Sequence, residues 1–109
     1  MDFELTEGWT IEEHEIARRA FDAAYVRAIH QLVSTIQEQV GSLNTVESVW
    51  EFHDYLSIQR HTIEGRFSFN TDGILFVFAS LVKDNLLTVE ELAGLDAEKL
   101  SKVSAMARF

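Results

Sequence analysis

The residue types best suited to chemistry gather in one segment, Trp50-Glu51-Phe52-His53-Asp54-Tyr55-Leu56-Ser57-Ile58-Gln59-Arg60-His61. With His30 before it and Asp84 after it, the His53-Asp54 pair imitates the H…HD…D order of HD-type metal-dependent phosphohydrolases. In such enzymes histidines and carboxylates converge on one metal beside a substrate cleft. A chain of 109 residues, with much of its length in one predicted helix, leaves little room for a cleft. We therefore predict no catalytic residue, no metal site and no bound cofactor.

The same pair allows a second chemical interpretation. His53-Asp54-Tyr55-Leu56 also imitates the H-D-x-L phosphorylation box of some sensor kinases, in which the phosphorylated histidine lies on a dimeric helical hairpin. No ATP-binding domain follows it in this sequence. A dimeric histidine phosphotransfer module and a small HD-type phosphohydrolase remain as alternatives to a non-enzymatic function.

The composition limits what the chain can bind. It has 18 Asp+Glu against 9 Lys+Arg, a formal net charge of −9, and no Cys. Nucleic acids and anionic lipids are bound by neutralising phosphate with Lys and Arg, so neither is an expected main partner. The lack of Cys excludes a disulfide framework and zinc-thiolate sites. No apolar run reaches the roughly 18 residues of a membrane span, and the acidic N-terminus does not resemble a secretion signal, so we expect a cytoplasmic protein.

The elements that must position these residues begin with a long helix. Residues 1–9 are expected to form an acidic tail, and Thr10-Ile11-Glu12-Glu13 fits a capping box. Nothing interrupts a helix until Gly41, which suits the left-handed position that ends one. A helix of about 30 residues is about 45 Å long, whereas a small domain is about 30 Å across. Such a helix must either protrude into water or be covered by a second chain, and its apolar pattern favours the second chain.

A second helix is predicted from Asn44-Thr45 to Gly65, so residues 10–66 form an antiparallel helical hairpin that makes a dimer. Apolar side chains cover an arc of the first helix that is too broad for one neighbour. On the second helix, six residues separate Asp54 from Arg60, which places them about 120° apart and prevents pairing within the helix. In a two-fold dimer, a contact from Asp54 to Arg60 of the other chain occurs twice. The predicted dimer interface contains Leu32, Val33, Trp50, Asp54 and Arg60.

Residues 67–109 are predicted to form a small helical head, which completes an all-α fold. Its helices are expected from Ile74 to Leu87 and from Asp96 to about Arg108, joined by a short turn of helix that a capping box at Thr88 opens. Phe76 falls on the wetter side of the first of these helices, in line with Ser80, Lys83 and Leu87. An exposed aromatic side chain is a candidate anchor for a protein partner.

The segment from Trp50 to Gly65 resembles the W-x-x-H-D-x-L-S-x-x-R-x-x-I-x-G stretch of the cyanobacterial fluorescence recovery protein family. Residues 74–79 are similar to its I-x-F-V-F-A run, residues 91–100 to its E-L-x-G-L…K-L ending, and residues 20–27 to its first helix. The resemblance covers nearly the whole chain. The loop at residues 66–72 departs from it, because the family pattern K-Y-D-x-R-Y is replaced there by RFSFNTD.

The resemblance implies an all-helical dimer that regulates photoprotection without enzymatic activity. Members of the family bind the photoactivated red form of the orange carotenoid protein, promote its detachment from the phycobilisome and speed its return to the orange form. By position, Trp50, His53, Asp54 and Arg60 correspond to the family's dimer and activity residues. Phe76 and Lys102 correspond to contacts with the C-terminal domain of the carotenoid protein.

The partners that the resemblance implies are a second copy of this chain and the orange carotenoid protein or a related carotenoid-binding domain. The expected location is the cytoplasm, including the cytoplasmic side of the thylakoid membrane.

Overall fold

The computed structural model describes residues 8–109. The named elements in this range are all helices, which confirms the all-α prediction. They form α1 (Ile11–Gln39), α2 (Val46–Arg66), α3 (Ile74–Lys83) and α4 (Ala97–Met106). Short 3-10 turns lie at Val40–Ser42 and Val89–Leu92. In this part of the chain, no helix is long and apolar enough to cross a membrane. Residues 1–7 of the predicted acidic tail lie outside the described residues.

The helix starts follow the local capping signals. The backbone N–H of Thr10 donates to Glu13 Oε1, and the backbone N–H of Glu13 donates to Thr10 Oγ1, both at 3.1 Å. Thr88 and Glu91 make the same reciprocal pair ahead of the second 3-10 turn, and Thr45 caps α2. Each capping box pairs backbone N–H groups that the start of a helix would otherwise leave without a partner. Residues close together in sequence therefore determine where these helices begin.

The predicted roles of Gly41 and Gly65 as helix-ending residues are wrong. Neither glycine has a positive φ, and α2 continues through Gly65 to Arg66. The chain leaves α1 by tightening into the 3-10 turn, where the N–H of Leu43 donates to Val40 O at 3.2 Å. A 3-10 closure satisfies terminal carbonyl groups without any left-handed residue, so glycine is not required.

The third helix ends at Lys83, four residues before the predicted end at Leu87. Asn85 has a φ of 61°, in the left-handed region that Asn tolerates better than most residues. The N–H of Leu86 donates to Leu81 O at 2.9 Å and that of Asn85 to Val82 O at 3.1 Å. These two hydrogen bonds form a Schellman motif, with Asn85 in the position that glycine usually takes. The motif ends the helix, so Leu86 and Leu87 lie outside it.

The residues group into two compact units. The core unit contains the residues up to Tyr25 together with Phe69–Phe109, and the hairpin unit contains Val26–Ser68. In the core unit α3 packs against α4. The buried hydrophobic side chains of the core unit come from every element in it, namely Ala17, Ala20, Phe21, Ala24, Ile74, Phe78, Ala79, Leu81, Leu86, Leu87, Leu92, Leu95 and Val103.

The hairpin unit has no comparable interior. None of its residues, from Val26 to Ser68, is buried. Most of the exposed large hydrophobic side chains of the described residues lie in it, namely Val26, Val33, Val40, Val46, Val49, Trp50 and Ile58. Exposed apolar side chains concentrated in one segment mark an interaction surface.

Candidate partner-binding surfaces

The first candidate surface is the α2 face, which we define as Trp50, His53, Asp54, Ser57, Arg60 and His61. Trp50 is 60% exposed, and the side chains of His53, Asp54 and Arg60 are between 71% and 81% exposed. An indole and several charged groups therefore stand together in water on one helix. The residues predicted for the dimer interface are available for contact with another molecule.

Pairs within the chain organise this surface. His53 Nδ1 lies 3.4 Å from Asp54 Oδ1, and the rings of Trp50 and His53 meet edge to face with centroids 6.3 Å apart. Arg60 Nε donates to Glu64 Oε1 at 2.7 Å. The contribution of Glu64 was missed at the level of sequence, although an Arg and a Glu four residues apart on a helix are a known pairing signal. Exposed pairs of this kind contribute little stability, so they leave the groups able to change partner.

The helical geometry places Asp54 and Arg60 symmetrically about Ser57. At 100° per residue, each lies about 60° from the direction of Ser57, on opposite sides. In the structure Asp54 contacts His53 and Arg60 contacts Glu64, in agreement with the prediction that the two cannot pair within one helix. Ser57 therefore marks the middle of the α2 face.

The two interface residues predicted on α1 also belong to the hairpin unit. Val33 is 45% exposed and Leu32 is half-buried. Val26, Val33 and Val40 recur every seven residues and are all exposed. A seven-residue repeat keeps one stripe of a helix facing the same direction over several turns, which favours packing against another helix.

The second candidate surface, the head patch, consists of Phe76 and Lys102 in the core unit. Ile74 and Phe78 are buried, and Phe76 between them is 70% exposed, as its predicted position on the wetter side requires. Leu87 was placed on the same side but is buried, because the chain has left the helix before reaching it. The Nζ of Lys102 lies 3.4 Å from Glu98 Oε1 in an exposed ion pair, which leaves the ammonium accessible.

An ion pair between the buried Glu13 and the half-buried Lys99 fixes α4 to the start of α1, and the sequence pattern did not predict it. Lys99 Nζ lies 3.0 Å from both carboxylate oxygens of Glu13, and the N–H of Asp96 donates to Glu13 Oε2 at 3.0 Å. Lys99 also donates to Gly8 O, and its ammonium lies 4.5 Å from the centre of the Trp9 ring. Glu13 and Lys99 are 86 residues apart in sequence, so no local pattern could join them.

This environment determines the charge states of both groups. Burial opposes the charge of Glu13, but hydrogen bonds from Asp96, Lys99 and Thr10 outweigh it and lower the pKa of the carboxyl. Burial likewise opposes the charge of Lys99, while Glu13 and Asp96 outweigh it and raise its pKa. Both groups are therefore charged near neutral pH, and α4 is held in a fixed position with Lys102 on its surface.

The divergent loop has an aromatic anchor of its own. The Phe69 ring meets Phe21 edge to face with centroids 5.2 Å apart and lies 5.9 Å from the ring of the buried His14. The guanidinium of Arg18 lies 4.9 Å from the centre of the Phe69 ring. Although the loop lacks the family pattern, Phe69 attaches it to the core unit through aromatic and cation–π contacts.

These features define a class of protein. The α2 face combines an exposed aromatic side chain with charged groups, and Phe76 is a second exposed aromatic side chain; such surfaces are typical of a small helical protein that acts by binding other proteins. Within the described part of a single chain, no three His, Asp, Glu or Cys side chains gather as a metal site. A phosphohydrolase centre within one chain would require such a cluster.

Comparison with known proteins identifies the family. Residues 9–107 match the family described as photoprotection regulator fluorescence recovery protein. The fluorescence recovery protein of Synechocystis sp. PCC 6803 is 39% identical over 101 residues, which cover 93% of each chain. Its solved structure has a TM-score of 0.87 and covers 93% of this chain and 99% of that one. The solved structure of the Fremyella diplosiphon fluorescence recovery protein matches with a TM-score of 0.88 at 36% sequence identity. The match covers 94% of this chain and 100% of that one.

This chain belongs to the fluorescence recovery protein family, a family of photoprotection regulators. The resemblance inferred from the motif between Trp50 and Gly65 is confirmed. The family is regulatory and is not known as an enzyme family, which favours neither the phosphohydrolase nor the phosphotransfer alternative.

Proposed function

We propose that this chain is a homodimeric, non-enzymatic regulator that binds the photoactivated orange carotenoid protein through that protein's C-terminal domain. It promotes detachment of the carotenoid protein from the phycobilisome and accelerates its reversion from the red to the orange form. It does so in the cytoplasm, including the cytoplasmic side of the thylakoid membrane. Family membership supports this assignment of the client, and a related carotenoid-binding domain would present the same chemistry.

The observation that carries the dimer is the absence of any buried residue between Val26 and Ser68. Leu32 and Val33 on α1 and Trp50 on α2 would be covered by the second chain. Asp54 of each protomer would pair with Arg60 of the other. Buried charged pairs in an oligomer seam are best attested as devices that fix register and partner, which suits a dimer that must assemble in one arrangement.

The head patch supports the binding of a client. Phe76 offers an apolar anchor, and Lys102 offers a positive charge on a chain that is strongly acidic overall. Buried aromatic anchors supply much of the affinity at protein interfaces, and charged groups at the rim guide the association. His53 and Trp50 form a further candidate contact wherever the dimer leaves them accessible.

The function is tested by mixing the protein with photoactivated orange carotenoid protein and following the visible absorbance as the red form decays. We expect faster decay with the unmodified chain and a rate reduced at least about tenfold with Phe76→Ala, since a central aromatic anchor contributes about 2 kcal/mol. Ile11→Ala removes another exposed apolar side chain, 61% exposed, and serves as the matched control. A decay rate that the unmodified protein leaves unchanged would refute the proposal.

A further inference from the structure

A groove of about 450 Å³ runs between the end of α1 and the start of α2, within the hairpin unit. Polar and aromatic side chains of both helices line it, among them Thr35, Gln39, Ser42, Glu51, Phe52 and Tyr55. Its volume falls in the range of sites that proteins use for small ligands. None of these residues belongs to the predicted dimer interface or to the head patch.

An aromatic shelf, which we define as Phe52 and Tyr55, lies along one wall of this groove. The two rings are nearly parallel, with an interplanar angle of 22° and centroids 5.9 Å apart. Both residues are half-buried, so part of their surface is left for a ligand to cover. Glu51, the residue before Phe52, is exposed and lines the same groove. Aromatic rings beside a carboxylate favour an organic cation, because both attract positive charge.

The charge of the surrounding sequence points to the same kind of ligand. Residues 28–59 contain no Lys or Arg but four acidic residues, Glu38, Glu47, Glu51 and Asp54. Arg60, the next basic residue along the chain, pairs with Glu64. The last turn of α1 carries no basic side chain, although the C-terminus of a helix favours a cation. The groove therefore carries negative charge, and residues 28–59 supply no Lys or Arg to balance it.

An anion is a poor fit for this groove. The start of α2 lies beside it, and the N-terminus of a helix attracts anions through its unpaired N–H groups. Here the N–H of Ser48 donates to Thr45 Oγ1 at 3.0 Å, and the N–H of Thr45 donates to Ser48 Oγ at 3.1 Å. The capping box thus already uses these two donors, and Glu47 adds a negative charge to the first turn. A phosphate or carboxylate ligand would approach acidic side chains with no Lys or Arg to pair with.

The groove and the α2 face lie on different sides of the helix. At about 100° per residue, the residues of α2 that line the groove each lie at least about 120° from the direction of Ser57, the middle of the α2 face. On α1, Thr35 and Gln39 likewise lie at least about 120° from the direction of Val33. A ligand in the groove therefore contacts side chains that the predicted dimer interface does not use.

We propose that this groove binds an arginine side chain presented by the basic surface of a protein partner. The guanidinium stacks on the aromatic shelf and donates two parallel hydrogen bonds to the carboxylate of Glu51. The same stacking occurs inside this protein, where the guanidinium of Arg18 lies 4.9 Å from the centre of the Phe69 ring. The formal net charge of −9 favours association with a basic partner.

Arginine suits the groove better than lysine does. A guanidinium is planar, so it can lie flat on an aromatic ring and still pair with a carboxylate through two N–H groups. An ammonium is a compact charge that binds water strongly, so it gains less from a flat aromatic surface. This contact lies outside the head patch, and it requires neither the dimer nor the carotenoid protein of the proposed function.

The test titrates N-acetyl-arginine amide into isotope-labelled protein and follows the backbone amide resonances by NMR. We expect saturable shifts at Gln39, Glu51 and Tyr55, with a dissociation constant on the order of 1 mM for a ligand of this size. N-acetyl-citrulline amide has nearly the same shape without the charge and should bind at least about tenfold more weakly. N-acetyl-lysine amide keeps the charge without the planar group and should also bind more weakly.

Matched variants test the two parts of the site. Glu51→Gln removes the charge with little change of shape and should weaken binding of the arginine derivative at least about tenfold. Tyr55→Leu removes a ring but keeps an apolar side chain, and should weaken binding about two- to fivefold. Glu47→Gln makes the same charge change about one turn earlier on α2, outside the groove lining, and should leave the dissociation constant unchanged.

Three results would overturn the arginine site. The first is binding of the citrulline or lysine derivative as tight as that of the arginine derivative. The second is binding that Glu51→Gln leaves undiminished, or the absence of saturable shifts at the groove in the unmodified protein. The third is a shift of the groove resonances with protein concentration alone, before any ligand is added, which would assign the groove to a second copy of this chain.

Discussion

The core unit and the hairpin unit use apolar residues differently. In the core unit one chain supplies both sides of each contact, so Phe78, Leu81 and Val103 are removed from water. In the hairpin unit one chain supplies only one side, and Val33, Trp50 and Ile58 remain exposed. The core unit therefore buries its apolar residues through its own contacts, whereas the hairpin unit leaves them exposed, and we propose that a second copy of this chain covers them.

The charged residues show the same contrast. Glu13 and Lys99 form a pair whose side chains are only 7% and 12% exposed, and the chain satisfies both groups internally. Asp54 and Arg60 are highly exposed and have only local partners. Substitutions in the two regions should accordingly alter different quantities, the free energy of unfolding in one and the dissociation constant of the dimer in the other.

The largest effect is expected from a charge placed in the hairpin seam. Leu32→Glu or Val33→Glu would bury an unpaired carboxylate in the dimer, which costs at least about 3 kcal/mol. The dimer dissociation constant, measured by sedimentation equilibrium, should therefore rise more than about 100-fold. Ile11→Glu, at an exposed position of the core unit, is the control and should leave self-association unchanged. An unaltered dimer with Leu32→Glu would show that α1 lies outside the seam.

The next largest effect is expected on the stability of the core unit. Glu13→Gln removes the nearer carboxylate of the half-buried Lys99 ammonium and leaves only the exposed Asp96, 3.3 Å away, so the free energy of unfolding should fall by about 2–3 kcal/mol. The measurement is urea denaturation followed by circular dichroism. Glu12→Gln changes the exposed neighbour and should cost much less. Equal losses from the two variants would mean that the buried pair adds no stability.

The same pair gives a pH dependence. Because the folded chain lowers the pKa of Glu13 below its ordinary 4.5, the stabilisation is present above about pH 4.5 and is lost as pH falls through the folded pKa. Because the pKa of Lys99 is raised above 10.5, its stabilisation is present below about pH 10.5 and is lost as pH rises through the folded value. Glu13→Gln should flatten the acid limb of unfolding free energy against pH. An acid limb of unchanged slope would contradict this assignment.

A smaller effect is expected from reversing one charge on the α2 face. Asp54→Lys or Arg60→Glu places like charges opposite each other in the seam, and each should weaken the dimer about tenfold. The double variant Asp54→Lys/Arg60→Glu restores opposite charges across the two-fold axis and should recover most of the affinity. If light scattering shows additive losses in the double variant, the two residues do not pair across the seam.

The smallest effect is expected at the rim of the head patch. Lys102→Glu reverses one exposed charge and should reduce affinity for the carotenoid protein only about three- to fivefold, about 0.6–1 kcal/mol, mainly through slower association. The measurement is surface plasmon resonance at low and high salt. Arg19→Glu is the control, since it makes the same charge change at an exposed position on α1. If both variants lose the same affinity for the carotenoid protein, Lys102 acts only through the net charge of the chain and not through a specific contact.

Sequence predicted the features that short-range signals determine. The capping boxes at Thr10 and Thr88 placed helix starts, and helical spacing placed Phe76 outward. It did not predict the end of α3, because the Schellman turn depends on Asn85 adopting a left-handed conformation that the sequence only permits. It also missed the contact of Glu13 with Lys99, which exists only after the chain has folded.

The central claim is that a second copy of this chain covers the hairpin unit. Sedimentation equilibrium of the unmodified protein in EDTA, at micromolar concentration, tests it most directly. We predict a mass of twice the 12.5 kDa of the chain, falling to the single-chain mass in Leu32→Glu. A mass of 12.5 kDa for the unmodified protein would contradict the claim, because the apolar side chains from Val26 to Ile58 would then remain in water.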